Sequence, residues 1–375
     1  MAHSQRTLNQ DPMTQAITLA RQAIGIASPN PPVGAVIVKD GQVIGEGHTQ
    51  PHGQAHAEVI ALAQAGENAR GAEMYVTLEP CAHQGLTPPC TKAIIAAGIR
   101  RVHVATLDPN PRTNGRGINE LEANNISVVL REGSPEGLAL IEAFAKHVTT
   151  GIPFVIAKFA MSLDGKIATR SGDSKWVSSV ASRKQAHVLR AGVDAVMVGI
   201  GTVLADDPQL TIRDIPHARS QPIRVVIDSS GRLPMTSAML ALEGTTIVAT
   251  ANIDVDRRSA LESVGAEVID TGPGGEVNLA QLLLALGERQ ITSILVEGGS
   301  QLHGSLFDLG LVDKVVGIVA PVIIGGIEAP GPIGGSGAHT IPDAIRLTQV
   351  TYAQVGEDMI VTGYPTKWQA NHPRE

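Results

Sequence analysis

The sequence predicts a two-domain α/β protein, on three observations. Its 375 residues exceed what a single hydrophobic core usually organises. Apolar runs of strand length alternate with segments of helical period through both halves, the pattern of βα units. Near the middle, "KHVTTGIP" (146–153) ends a helix on a Gly-Ile-Pro turn, and a new apolar strand begins at Pro153. The expected domains are residues 1–148 and 149–367, followed by a polar tail at 368–375.

Taken in order, Asp11-Pro12 reads as an N-cap followed by proline at the first helical position, with Ile17, Ala20 and Ile24 at helical spacing behind it. "VGAVIVKDGQVIGEG" reads as a β-hairpin turned at Asp40-Gly41. Helix 55–65, strand 74–79, helix 90–97, strand 101–107, helix 117–124 and strand 126–131 follow, which implies a three-layer first domain. The second half opens on the strand "PFVIAKFAM". A helix at 179–191 starts at Ser179 or a neighbouring serine. Strands are expected at 194–200, 222–228, 245–250, 266–270, 293–297 and 314–320, and helices near 279–287 and 300–309. The run "VVGIVAPVIIGGI" (315–327) is too short to span a bilayer and reads as two buried strands around Pro321.

Composition narrows the function. A net charge of −7 and 2% aromatic residues argue against a nucleic-acid partner, an anionic membrane surface or a base-stacking platform. Two cysteines cannot build a disulfide framework, so a reducing cytoplasm is the expected compartment. "MAHSQRTLNQDP" lacks the apolar core of a secretory signal.

Both cysteines stand in one loop, "EPCAHQGLTPPC" (79–90), and "HAEVIALAQAG" begins 25 residues before Cys81. His56, Cys81 and Cys90 are one imidazole and two thiolates, a tetrahedral zinc set with one position left for water. His-x-Glu followed by Pro-Cys is the zinc-deaminase pattern, here with eight residues between the cysteines in place of two. On a helix, His56 and Glu58 point about 200° apart. They share a site only if the helix meets the metal with its N-terminal end, where first-turn side chains lean back. Cys90 likewise opens a helix, where dipole and metal both favour a thiolate. Glu58, not a ligand, is then placed to carry a proton from an activated water to a leaving amine. Each element alone is weak, since cysteines are often buried small hydrophobes and His56 could be a helix cap. The conjunction points to a deaminase. The neighbouring His48, His52 and His83 are not counted as ligands.

The second half speaks less clearly. "GIGT" (199–202) after an apolar strand is a weak glycine turn. "ILVEGGSQLHGSLF" joins a buried strand to a helix opening at Ser300 or Gln301, which is either a phosphate cradle or an ordinary tight βα turn. Arg190 and Arg213 could grip a phosphate or lie solvated. Glu297 ends a buried strand, where a carboxylate is costly unless it is used or paired.

At this point the chain resembles a known family. "SPNPPVGAVIVKDGQVIGEG", "HAEVIAL", "YVTLEPCAHQGLTPPC" and "DPNPRTNGRGI" are similar to the deaminase domain of the bifunctional riboflavin-biosynthesis deaminase/reductases. "KFAMSLDGKIATRSGDSKWVSS", "GTVLADDPQLTIR", "RVVIDSSGRLP" and "LVEGGSQLHGSLFDLGLVDKVV" are similar to their reductase domain. The resemblance runs from about residue 13 to about 365. It implies a cytidine-deaminase-like α/β/α domain followed by a dihydrofolate-reductase-like α/β domain. It also implies two consecutive reactions. The first is hydrolytic deamination of 2,5-diamino-6-ribosylamino-4(3H)-pyrimidinone 5′-phosphate at a zinc centre. The second is NADPH-dependent reduction of the ribosyl group to ribityl, giving 5-amino-6-ribitylamino-uracil 5′-phosphate. Carried over by position, Asn30 contacts the base, His56, Cys81 and Cys90 hold zinc, and Glu58 shuttles the proton. Ala160, Trp176, Thr202, Asp206, Ser229 and the segment Gly299, Ser300, Gln301, Leu302, His303, Gly304 and Ser305 fall on cofactor positions. Ser174, Arg190, Leu210, Arg213 and Glu297 fall on substrate positions, and Lys158 faces the same site with a role in ring opening or proton transfer. The partner implied is a small pyrimidine ribotide, and the assembly a homo-oligomer, dimer or tetramer. One position departs. The family usually has Lys or Arg after the loop glycine, which would help hold the substrate phosphate, whereas this chain has Leu86. Lys92, Arg112 or a neighbouring chain would then supply the cation, or the grip would be weaker.

Overall fold

The computed structural model describes residues 6–7, 11–130, 135–215 and 220–366. The polar tail expected at 368–375 lies outside them. The chain divides into two compact units, residues 1–151 and 152–375.

The first unit holds a six-stranded sheet. Its elements are β1 (Arg6–Thr7), α1 (Pro12–Arg21), β2 (Gly34–Lys39), β3 (Gln42–His48), α2 (Ala57–Ala65), β4 (Glu73–Val76), α3 (Cys90–Ala97), β5 (Arg101–Val104), α4 (Arg116–Ala123), β6 (Ser127–Leu130) and α5 (Pro135–Thr150). The strand order is β1-β3-β2-β4-β5-β6, with β4, β5 and β6 parallel and the rest antiparallel. Asp11 caps α1, its carboxylate accepting from the Thr14 N–H. Asp40 and Gly41, both at positive φ, make the hairpin turn between β2 and β3. One face of the sheet, with Ile37, Met74, Val76, Val102 and Val104, buries against Ala57, Ala61, Ile94 and Leu121 of the helices. The approach of α2 is close. A Cβ on Gly47 would stand 2.3 Å from the Ala57 carbonyl oxygen, so only glycine on β3 lets the start of α2 lie where it does.

The second unit holds a nine-stranded sheet. Its elements are β7 (Phe154–Ser162), α6 (Val180–Ala191), β8 (Ala195–Gly199), α7 (Ile200–Asp206), β9 (Ile223–Ile227), β10 (Thr246–Thr250), α8 (Val255–Ser263), β11 (Ala266–Asp270), α9 (Leu279–Glu288), β12 (Ser293–Glu297), α10 (Ser300–Asp308), β13 (Lys314–Ala320), β14 (Leu347–Val355) and β15 (Asp358–Pro365). The order is β11-β10-β9-β8-β12-β7-β13-β15-β14. Strands β11 to β13 run parallel across the sheet, and the β14–β15 hairpin adds an antiparallel edge. Alternate strand residues feed two cores. Val155, Met197, Val225 and Ile294 meet Leu282 and Leu286 of α9, while Val196, Val226, Val248 and Leu295 meet Val203 and Leu261.

Several sequence expectations need correcting. The run 315–327 is not two strands. After β13 it leaves the sheet at Pro321, and Val322, Ile323 and Ile327 are exposed, Ile327 fully. The Asp164 carboxylate accepts the N–H groups of Ile324 (3.0 Å) and Gly325 (2.7 Å), and Leu163 N–H donates to the Val322 carbonyl, which folds this segment over the end of β7. Strands expected at 74–79 and 101–107 stop at Val76 and Val104, because the residues beyond enter the loops of a site. Helices α7 and α8 and the β14–β15 hairpin were not expected.

Candidate active sites

In the first unit, His56 is the N-cap of α2 with extended backbone, and Cys90 is the first residue of α3. Two helix starts therefore converge on the loop that carries Cys81. His56 Nδ1 lies 3.7 Å from Cys81 Sγ and 3.3 Å from Cys90 Sγ. The three ligand atoms all lie within 4.8 Å of one another, the one such His/Cys/Asp/Glu group among the described residues. Bond lengths to tetrahedral zinc place neighbouring nitrogen and sulfur ligands about 3.5 Å apart, so the donor set fits that ion. With Nδ1 turned to the sulfurs, Nε2 faces Thr87 Oγ1 at 3.4 Å, an outer contact that orients the imidazole. The Cys90 N–H donates to Cys81 Sγ, and the hydrogen bond with Cys90 is the main cause holding the Cys81 thiol down at about 4; the pair keeps its first charge on Cys81, while Cys90 is raised.

Glu58 sits one residue inside the start of α2, buried beside this cluster. Burial, and then the Cys81 charge, push its carboxyl up to about 6. A cavity of about 170 Å³ opens there, lined by Asn30, Glu58, His83, Asp108, Asn110 and others including His56 and Cys81. Asn30 thus shares the cavity with the metal-binding cluster. Its far wall is a loop held by Glu79, whose buried carboxylate accepts from the N–H groups of Asp108 (3.2 Å), Gly115 (3.0 Å), Gly117 (2.9 Å) and Ile118 (3.3 Å). Burial raises Asp108 to about 6, against the N–H of Asn110 at 2.9 Å. Sequence reasoning missed Thr87, Glu79, Asp108 and Asn110. A buried acid directly before Pro-Cys and the "DPNP" turn were the signals available.

In the second unit, Lys158 of β7 and Glu297 of β12 are register partners on adjacent parallel strands. Arg190 of α6 grips Glu297 with two nitrogens, Nε to Oε1 at 2.7 Å and Nη2 to Oε2 at 2.9 Å, and Lys158 Nζ stands 4.0 Å from Oε2. The side chain of Glu297 is only 12% exposed. Burial would raise its pKa, but Lys158 and Arg190 overcome that and hold it at about 2. Arg190 also donates to the Thr211 carbonyl at 2.9 Å, which ties in the segment bearing Leu210 and Arg213. Leu210 is buried at φ 54°, and the Arg213 guanidinium reaches Gln209 rather than an anion.

Beside this cluster, β12 runs through Gly298 into α10. Gly298 has φ 141°, and a Cβ there would meet Thr202 Oγ1 at 2.9 Å. Thr202 of α7 instead accepts the Gly299 N–H at 3.0 Å. With Gly299 as N-cap and no side chain capping it, the first N–H groups of α10 remain available to a phosphate. Leu302, His303 and Gly304 turn their side-chain positions inward: Leu302 joins the core, His303 lies between the Val296 and Pro332 carbonyls at 3.3 Å each, and Gly304 abuts the 334–335 backbone. Gln301 is exposed and Ser305 half-buried. Ser174 Oγ donates to Asp206 at 3.3 Å. Trp176 is 71% exposed with the Arg183 guanidinium 4.4 Å above its ring. Ser229, past the end of β9, accepts from the Val277 N–H, and Ala160 lies two residues beyond Lys158 on β7. The structure thus joins Lys158, Arg190 and Glu297, Thr202 and Gly299, and Ser174 and Asp206. Among the described residues no hydrogen bond or ion pair links Ala160, Trp176, Arg213 or Ser229 to these groups, although Trp176 and Ser174 line one cavity.

Comparison with known proteins places both units. Residues 6–106 match the model for the cytidine and deoxycytidylate deaminase zinc-binding region, and residues 153–361 match that for the RibD C-terminal domain. The riboflavin biosynthesis protein RibD of Aquifex aeolicus is 40% identical over 95% of this chain and 98% of its own length. The chain belongs to the RibD family. The RibD protein of Escherichia coli is likewise 40% identical, over 92% of this chain and 96% of its own. Acinetobacter baumannii RibD superposes with a TM-score of 0.86 at 39% identity, covering 95% of this chain and 98% of that one. A Thermotoga maritima structure named as a diaminohydroxyphosphoribosylaminopyrimidine deaminase/5-amino-6-(5-phosphoribosylamino)uracil reductase gives a TM-score of 0.81 at 37% identity, covering 94% of this chain and 97% of that one. Among the described residues no helix is long and apolar enough to cross a membrane.

Proposed function

We infer that this RibD-family chain deaminates 2,5-diamino-6-ribosylamino-4(3H)-pyrimidinone 5′-phosphate in its first unit and reduces the deaminated product's ribosyl group in its second. The observation that carries the reading is the His56–Cys81–Cys90 donor set with buried Glu58 beside it, in the unit that matches the deaminase zinc-binding region. His56, Cys81 and Cys90 would hold zinc, which would supply the Lewis acidity that makes water a nucleophile near neutral pH. Glu58 would take one proton from the attacking water and deliver it to the departing amine, so that the C–N bond breaks, ammonia leaves and the water oxygen stays on the ring carbon. A carboxyl raised to about 6 suits both transfers. Asn30 fixes the base.

In the second unit the start of α10 with Thr202 would hold NADPH, which would supply the hydride. Ala160, Trp176, Asp206 and Ser229 complete the cofactor's surroundings. Lys158 supplies the proton that lets the ribosyl ring open. Glu297, kept ionised by Lys158 and Arg190, fixes Lys158 and the ribosyl hydroxyls, with Ser174, Leu210 and Arg213 at the rest of the substrate. Resemblance to the family supports a homo-oligomer, dimer or tetramer, and cysteine usage supports a cytoplasmic setting.

The test is metal content and ammonia release. The purified protein should hold about one zinc per chain, and Glu58→Gln should keep that zinc while losing ammonia release. Unchanged ammonia release in Glu58→Gln removes Glu58 from the mechanism, and a metal-free active protein removes zinc.

A further inference from the structure

The cavity beside Glu58 holds about 170 Å³, below the roughly 300–1,000 Å³ of pockets that engulf a drug-sized ligand. It takes a pyrimidine ring, and the ribose phosphate must extend past its mouth. A phosphate there is a dianion at the surface and calls for an exposed cation. Leu86 supplies none: it is 74% exposed and apolar. Lys92 is already committed, its ammonium 2.6 Å from Glu120. The neighbouring 108–113 turn is different. Asp108 and Asn110 line the cavity, and Asn110 turns its side-chain oxygen back to accept the Arg112 N–H at 3.0 Å, fixing that backbone. The next residue, Thr113, is buried and meets His83 at 3.4 Å, so the 110–113 turn is seated against the loop that carries Cys81 and Leu86. Arg112 is exposed on this turn, and among the described residues no side chain pairs with its guanidinium.

We infer that Arg112 is the phosphate-recognising residue of the deaminase site in this chain, taking the role that Leu86 cannot. The inference rests on the deaminase reading above. A guanidinium engages two phosphate oxygens at once, which suits a ligand group that projects from the cavity. The phosphate is remote from the amine that leaves, so Arg112 contributes equally to substrate and transition-state binding and acts on KM alone.

Ammonia release is measured at low salt with the diaminopyrimidine ribotide and with the same nucleoside lacking its phosphate. Arg112→Gln should raise KM for the ribotide about fivefold, the scale of an exposed charge pair. It should leave kcat unchanged and leave KM for the phosphate-free substrate unchanged. Adding Leu86→Lys to Arg112→Gln should restore the ribotide KM. An unchanged ribotide KM overturns the inference, as does an equal rise for both substrates, or a rise on Arg116→Gln in place of Arg112→Gln. Wild-type protein that releases no ammonia from either substrate would instead overturn the deaminase reading, and the inference with it.

Discussion

Glu297 ends a strand inside a sheet, where an unanswered carboxylate would protonate or unfold the site. The two-pronged grip of Arg190 and the Lys158 ammonium hold it ionised at about 2, well below its ordinary value of 4.5. A depressed carboxyl contributes its stability above the unfolded-state value and loses it as pH falls towards the folded one. Wild type should therefore melt at a higher temperature than Glu297→Gln above pH 4.5, and that margin should shrink between pH 4.5 and pH 2. A margin that stays flat across this window would mean that Glu297 is not held as an anion. Arg190→Met leaves Glu297 with Lys158 at 4.0 Å as its remaining counter-charge. Reductase kcat/KM should fall at least about tenfold, the scale of losing a charged hydrogen bond, while ammonia release persists.

Elements position these residues, and some were easier to read than others. The β2–β3 hairpin was legible because Asp40-Gly41 demands a positive-φ turn. The start of α2 was legible because His56 and Glu58 can meet one metal only from a helix end, and Cys90 at the start of α3 follows the same logic. The segment after Pro321 misled, since its apolar residues imply burial. What decides its path is Asp164, a carboxylate 160 residues earlier in sequence, which no local pattern reveals. The β14–β15 hairpin escaped notice because β14 is an edge strand with most of its side chains exposed, so it lacks a buried alternating stripe. Residues such as Glu79 and Asp108 were invisible as site builders because their role is to hold a loop through backbone N–H groups. At this scale Gly47→Ala is informative. The added Cβ would meet the Ala57 carbonyl at 2.3 Å, and α2 must move. Stability should drop by about 1–3 kcal/mol, and zinc affinity should fall more sharply than the melting temperature, because His56 moves with the helix. Retained zinc in a destabilised protein would show that the helix start is not what sets the metal geometry.

Across the whole molecule two chemistries fall to two compact units, residues 1–151 and 152–375. Cys81→Ser should abolish ammonia release and leave reduction of already deaminated substrate intact; loss of both in folded protein would mean that the activities depend on one another. The most direct measurement supplies the diaminopyrimidine ribotide to the intact protein with and without NADPH, following ammonia and NADPH together. The account predicts equal ammonia release in both cases, NADPH oxidation only after ammonia has appeared, and no NADPH oxidation in Cys81→Ser unless deaminated substrate is added. Ammonia release that requires NADPH, or NADPH oxidation with the diamino substrate in Cys81→Ser, would contradict it.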